Sequence, residues 1–178
     1  MPQVRASEAR VGDRALTQSF DDCIWLEPGG TEAALTIGQF LDSIGISIVI
    51  GQWTGPSILA GMTVAKGVVM VNPEVACYPG DLLHDAGHLA VTQPQLRADM
   101  DEVSNDPGEE MAAIAWSVAA AKACGVSLEV LFHPGGYKGG SPGLISDWTA
   151  GQPFGVPLLG WYGMTSADEF PAMQRWLR

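Results

Sequence analysis

The sequence predicts an α+β domain in which a small, mostly antiparallel sheet packs against two successive helices. β-Branched runs ISIVI (46–50), ILAGMTV (58–64) and GVVMVNP (67–73) follow one another across short breaks, as strands of one sheet do. Two later stretches, DLLHDAGHLAV (81–91) and the Ala-rich segment from Glu109 to Cys124, are bounded by helix start and stop residues. Apolar residues form 47% of the 178-residue chain and charged ones 16%, enough to bury one core without disulfides or a metal for bulk stability.

Taken in order, the first thirty residues mix charges with small side chains and close on the breaker PGG (28–30). They read as an N-terminal arm ahead of a single domain, 31–178, with its core over 31–124. From Thr31 to Ser43, Ala33, Ala34, Ile37, Phe40 and Leu41 recur at helical spacing, and Gly45 stands where a C-cap belongs. AKG between the second and third runs is short enough for a hairpin. Gly80-Asp81 suggests a turn with Asp81 as N-cap, followed by a helix from Leu82 to about Thr92 that Pro94 ends. A polar connection over 93–108 leads to Asp106-Pro107-Gly108-Glu109, which has an N-cap, a first-position proline and a capping-box acid in register. The helix it opens stops at Gly125. Beyond it, HPGGYKGGSPG (133–143) and DWTAGQPFGVPLLGWYGM (147–164) are expected to be irregular, with a short helix over Ser166–Leu177. Three of the six tryptophans follow Gly143, so this loop-rich segment, 125–178, is expected either to fold over the sheet or cleft or to pack into the core.

A formal charge of −11 with no basic cluster makes nucleic acid a poor partner. No run approaches the roughly 18 apolar residues of a membrane span, and the first residues lack the apolar core of a secretion signal. A soluble, cytoplasmic protein is the expectation. Cys23, Cys77 and Cys124 are odd in number and form no CxxC pair, which predicts reduced thiols. Asp99, Asp101, Glu102 and Asp106 miss EF-hand spacing and its central glycine, and read as a solvated acidic loop.

His84 and His88 carry the chemistry. Residues four apart share one helix face at about 6 Å, so two imidazole nitrogens can reach one cation; capping or packing is the plainer alternative for such a pair. The string resembles the zincin HExxH helix, with Asp85 where the glutamate stands. It is also similar to the LLHDxGH of HD-domain phosphohydrolases. That second pattern needs an upstream histidine and a helical body, whereas no histidine precedes His84 and the forty residues before it read as strands. The zincin pattern needs a preceding sheet and a third ligand downstream. Glu110-Met111-Ala112-Ala113-Ile114-Ala115-Trp116 resembles the second motif helix of ImmA/IrrE-type metallopeptidases, in which a Glu is followed by Ala three residues on and an aromatic three after that. Glu110 also shares a helical stripe with Ile114 and Val118, while Glu109 is accounted for by the capping box.

The resemblance implies a zincin-like fold and one zinc ion held by His84, His88 and Glu110, though other divalent metals accept the same ligands. It implies a peptide or protein substrate and peptide-bond hydrolysis, with the motif acid, here Asp85, as general base. Asp is one methylene shorter than Glu, and a shortfall of about 1 Å can cost a hundredfold in rate. A non-catalytic zinc-binding pseudo-peptidase or protein-interaction module is therefore the first alternative, and an HD-like phosphohydrolase the second. His133 and Tyr137, in the Gly-rich HPGGYKGG, are candidates for a transition-state hydrogen bond to the oxyanion. Tyr162 is a weaker candidate for the same part, and Cys77 could approach the metal as a thiolate.

Overall fold

The computed structural model of the chain describes residues 20–53 and 57–178. Its elements in order are α1 (Gly30–Ser43), β1 (Ile48–Ile50), β2 (Met62–Ala65), β3 (Val68–Val71), α2 (Gly80–Val91), α3 (Pro94–Arg97), α4 (Pro107–Cys124), α5 (Leu128–Leu131), a 3-10 turn (Tyr137–Gly139), α6 (Ser141–Thr149) and α7 (Val156–Trp161). Among the described residues no helix is long and apolar enough to cross a membrane.

The sheet shows the period-2 pattern of a half-buried surface. Met62, Val64, Val69, Val71 and Ile48 turn to the core, while Thr63, Ala65, Val68, Met70 and Val49 alternate outward. β2 and β3 form the hairpin expected from AKG; its two-residue turn places Lys66 at φ 50° and Gly67 at φ 72°, the paired positive values of a type I′ connection. Lys66 is held there by Asp101, which accepts from its backbone N and its Nζ, each at 3.0 Å.

The sheet is mixed rather than mostly antiparallel. β1 pairs with β3 in parallel, giving the order β1-β3-β2. The hairpin fills one edge of β3, so β1 takes the other, parallel to the strand between them. This pairing is non-local and leaves no mark in the runs themselves.

The motif helix, α2, is buried at every residue except His84. It begins two residues earlier than expected, with Pro79 as N-cap; Asp81 lies inside its first turn and its carboxylate is engaged elsewhere. A buried helix end must still satisfy its last carbonyls. Thr92 Oγ1 donates to His88 O at 2.7 Å, and Arg97 Nε to Leu89 O at 2.7 Å. Arg178 N donates to Ala90 O at 2.9 Å, and Arg178 Nη1 to Val91 O at 3.3 Å.

α4 is buried without interruption from Ala112 to Ala121, the condition of a central helix that meets neighbours on all sides. Asp106 caps it as expected, accepting from Glu109 N at 2.9 Å. Small residues bring it against α2. A Cβ at Gly87 would fall 2.7 Å from Ala113 O and 2.9 Å from Ser117 Oγ, and Ser117 Oγ lies 2.9 Å from Leu83 O.

Three further expectations meet a different outcome. Residues 20–29, assigned to the arm, belong to the body: Phe20 is fully buried and stacks on Trp25 at 5.3 Å, and Trp25 bridges Cys77. The remainder of the expected arm, 1–19, lies outside the described residues. Residues 141–149 and 156–161, expected to be irregular, are helices with a proline in the first turn, a position where its missing N–H costs nothing. Ser166–Leu177 forms turns instead of a helix, because Trp176 is drawn between Trp116 and Phe40, its carbonyl accepting from Trp116 Nε1 at 2.9 Å.

Arg97→Ala leaves Leu89 O, near the end of α2, without its side-chain donor. A loss of about 1–3 kcal/mol of unfolding free energy is expected, measured by denaturant titration, with Arg97→Lys recovering only part of it because one ammonium cannot span several carbonyls.

Candidate metal centre

Helical spacing places His84 and His88 on one face of α2, and the Gly87 contact brings the first turn of α4 across that face. The result is a three-sided arrangement. His84 Nε2 is 3.2 Å from Glu110 Oε1, and His88 Nε2 is 3.0 Å from Glu110 Oε2. The imidazole centroids are 4.9 Å apart. One ligand atom from each residue lies within 4.8 Å of the others, and among the described residues no other such group of three or more could share an ion. Two ligands of a tetrahedral zinc at 2.0–2.1 Å lie about 3.3 Å apart, close to the two N–O separations of the centre.

The donor chemistry fits a cation as well. His88 is fully buried, yet its Nε2 contact with Glu110 lies off the line of a hydrogen bond and neither ring nitrogen has a bonded partner in the protein. A buried polar atom in that condition calls for an explanation, and a metal supplies one. Each ring also has a carboxylate behind it. Asp85 Oδ1 stands 3.6 Å from His84 Nδ1, and Glu109 Oε1 3.9 Å from His88 Nδ1. Carboxylates placed so orient ligand imidazoles and raise their basicity.

Glu109 therefore departs from the expected capping box: its side chain faces His88 and Thr92 rather than the backbone at the helix start. Asp106 to Glu109 is capping-box spacing, which hid this second position. The signal that could have found it is adjacency, since a residue beside a ligand on a helix is carried toward the neighbouring imidazole.

Charge and burial oppose one another here. Burial would lower the pKa of His84, but the Asp85 and Glu110 carboxylates outweigh it and push it up to about 10. His88 is likewise raised, by Glu109 and Glu110 against burial. Glu110 is held well below the usual carboxylate range, first by His84 and then by His88. Two imidazoles here clasp one carboxylate.

Of the other expected residues, Asp85 and Tyr137 reach this place and His133 stands behind it. Asp85 is 3% exposed. Tyr137 meets His84 edge-on, ring centroids 5.5 Å apart, and burial, then Asp81, Glu110 and Asp85, push its phenol well above the usual range. His133 is 1% exposed and hydrogen-bonded to Asp81. Tyr162 lies under the Arg178 guanidinium at 3.8 Å, an anchor for the chain's last turns. Cys77 is buried beside Trp25, outside the ligand group, with its thiol pushed up to about 12 by burial, Cys23 and Asp81.

A groove of about 800 Å³ ends at Glu109, the acid that faces His88. It runs along Thr63, Val64 and Ala65 of the edge strand β2 and past Asp99 and Glu102 to Thr92 and Glu109. Compared with protein-family models, curated proteins and solved structures, the chain matches none.

Two consequences of the raised His84 can be measured. Its folded pKa of about 10 exceeds the unfolded value of about 6.5, so its proton stabilises the metal-free protein fully below pH 6.5 and progressively less as pH rises toward 10. Thermal unfolding of chelator-treated protein should show that decline. Zinc must displace the proton, so its affinity should climb across the same interval and level off above it; an affinity independent of pH from 6 to 9 would contradict this protonation state.

Proposed function

We propose that the chain is a metal-dependent peptide-bond hydrolase of the zincin type, with His84, His88 and Glu110 holding one divalent ion, zinc by its N/N/O ligand set, and Asp85 as general base. The observation that carries this is the convergence of two imidazole nitrogens and one carboxylate at spacings of 3.0 and 3.2 Å. Such an ion, when bound, supplies the Lewis acidity that polarises a carbonyl and makes water a nucleophile near neutral pH.

The protein's own part is to bind, orient and move a proton. Glu110 and the imidazoles are held by the α2–α4 contact, so the ligand set is organised before any ion arrives. β2 is an edge strand of the sheet and lines a groove that ends at Glu109, an arrangement that suits an extended peptide. Asp85 is the one acid between the two histidines in sequence and shares their helix; as base it would take a proton on its carboxylate, through a second water if its reach falls short. The HD-type alternative finds no support, since residues 46–73 carry strands where that fold requires helices.

One observation favours a second reading. The nitrogen that Asp85 approaches is His84 Nδ1, on the ring edge away from Glu110, the place of an orienting carboxylate. On that reading the chain is a metal-holding module that binds peptide without cutting it.

Metal analysis of the purified protein beside a His84→Ala/His88→Ala variant tests the centre: about one equivalent of zinc is expected in the first and none in the second. Asp85 then separates the readings. As base, Asp85→Asn abolishes cleavage of a mixed peptide library with zinc retained, and Asp85→Glu raises it. As orienting group, Asp85→Asn lowers zinc affinity by about 10–100-fold, and none of the three proteins cleaves.

A further inference from the structure

Behind the metal centre lies a second buried polar group that the hydrolase reading leaves unused. His133 Nε2 is 2.8 Å from Asp81 Oδ1, and both residues are buried. The imidazole stacks on Tyr78 with centroids 3.9 Å apart and planes at 12°, and a Cβ at Gly136 would fall 2.9 Å from its Cε1. Its carbonyl accepts from Gly136 N at 3.1 Å and from Ser141 Oγ at 2.8 Å. The Gly-rich loop is thus pinned at its start to one buried side chain, although its composition suggests free movement.

What the loop presents is Tyr137. Tyr137 and Lys138 each adopt φ 53°, a left-handed conformation that non-glycine residues rarely take and that clusters at functional sites. The ring stands against His84 on one side and Phe132 on the other, at 5.5 and 5.1 Å. Its hydroxyl is buried and has no hydrogen-bond partner in the protein. A buried hydroxyl with nothing to bond marks the place of a missing partner. A phenol carries its proton at neutral pH and is a donor.

We propose that the Tyr137 hydroxyl donates a hydrogen bond to the scissile carbonyl oxygen as negative charge builds on it, and that Asp81 and His133 are positioning residues that hold the Tyr137 loop against the metal centre. This rests on the hydrolase reading of His84, His88 and Glu110. It separates the two loop residues by role: His133 has its Nε2 engaged by Asp81 and acts through the backbone it anchors, while Tyr137 meets a ligand imidazole directly. No bond is made or broken by either residue; the contribution is a donor fixed in advance where an oxyanion forms.

The test uses zinc-loaded full chain and acetohydroxamate, a small zinc-chelating acyl compound with an anionic oxygen, titrated by calorimetry. Tyr137→Phe should weaken hydroxamate binding by about 100-fold, the scale of one lost oxyanion donor, with zinc affinity unchanged. Equal hydroxamate affinity in the two proteins, or zinc-loaded wild type that does not bind hydroxamate, overturns the proposal. Asp81→Asn should weaken hydroxamate and not zinc, and adding it to Tyr137→Phe should cost nothing more; fully additive losses overturn the positioning role. Should Asp81→Asn fail to fold, ¹⁵N-histidine NMR of the wild type decides that role, with the His133 proton expected on Nε2 and a proton on Nδ1 alone overturning the pair. Wild type that takes up no zinc removes the hydrolase reading itself, a result distinct from these.

Discussion

Gly87 lets the backbone of α2 press against Ala113 and Ser117 of α4, and the centre inherits its geometry from that contact. Gly87 immediately precedes His88, and Ala113 lies one residue short of a full turn beyond Glu110, so the point of closest approach is within about a turn of all three ligand positions. A side chain at 87 would separate the helices at the place where a few tenths of an ångström decide whether three atoms can share an ion. Long, mobile side chains are not asked to find one another; short ones are carried into place by a packed core.

Around that contact the fold concentrates negative charge in a setting with little water. Asp81 and Asp85 are buried, and Glu109 and Glu110 sit at the start of α4, where the helix dipole favours acids. Unpaired carboxylates so placed would be costly. The His84 and His88 imidazoles face Glu110, and Asp81 is answered separately by His133. The two arrangements differ in kind. The first brings two imidazoles and a carboxylate to one point, whereas the second is a single pair, His133 Nε2 on Asp81 Oδ1.

What was legible beforehand was whatever the chain writes locally. The α2 ligands follow from a spacing of four, α4 from an N-cap, a proline and a terminal glycine, and the hairpin from a two-residue turn. Glu110 was legible because its helical stripe runs into Ile114 and Val118. The pairing of β1 with β3 was not, since strand direction depends on the route of the connection and not on the strand. Asp81 read as an N-cap because Gly-Asp ahead of an apolar run usually is one; its partner lies far along the chain, inside a loop whose composition suggests no fixed contact. The closing residues misled for a related reason. Their spacing suits a helix, but Trp176 gains more by lodging between Trp116 and Phe40 than a short exposed helix would return.

The capture of the last carbonyls of α2 by Thr92, Arg97 and Arg178 gives that helix a direction of failure. An end whose acceptors are all engaged does not fray, so loosening has to enter from Gly80 and travel toward the imidazoles, meeting Asp81 first and His84 before His88. The imidazole nearer that end is the one that Tyr137 meets, so such loosening would reach first the side of the centre that touches the Gly-rich loop.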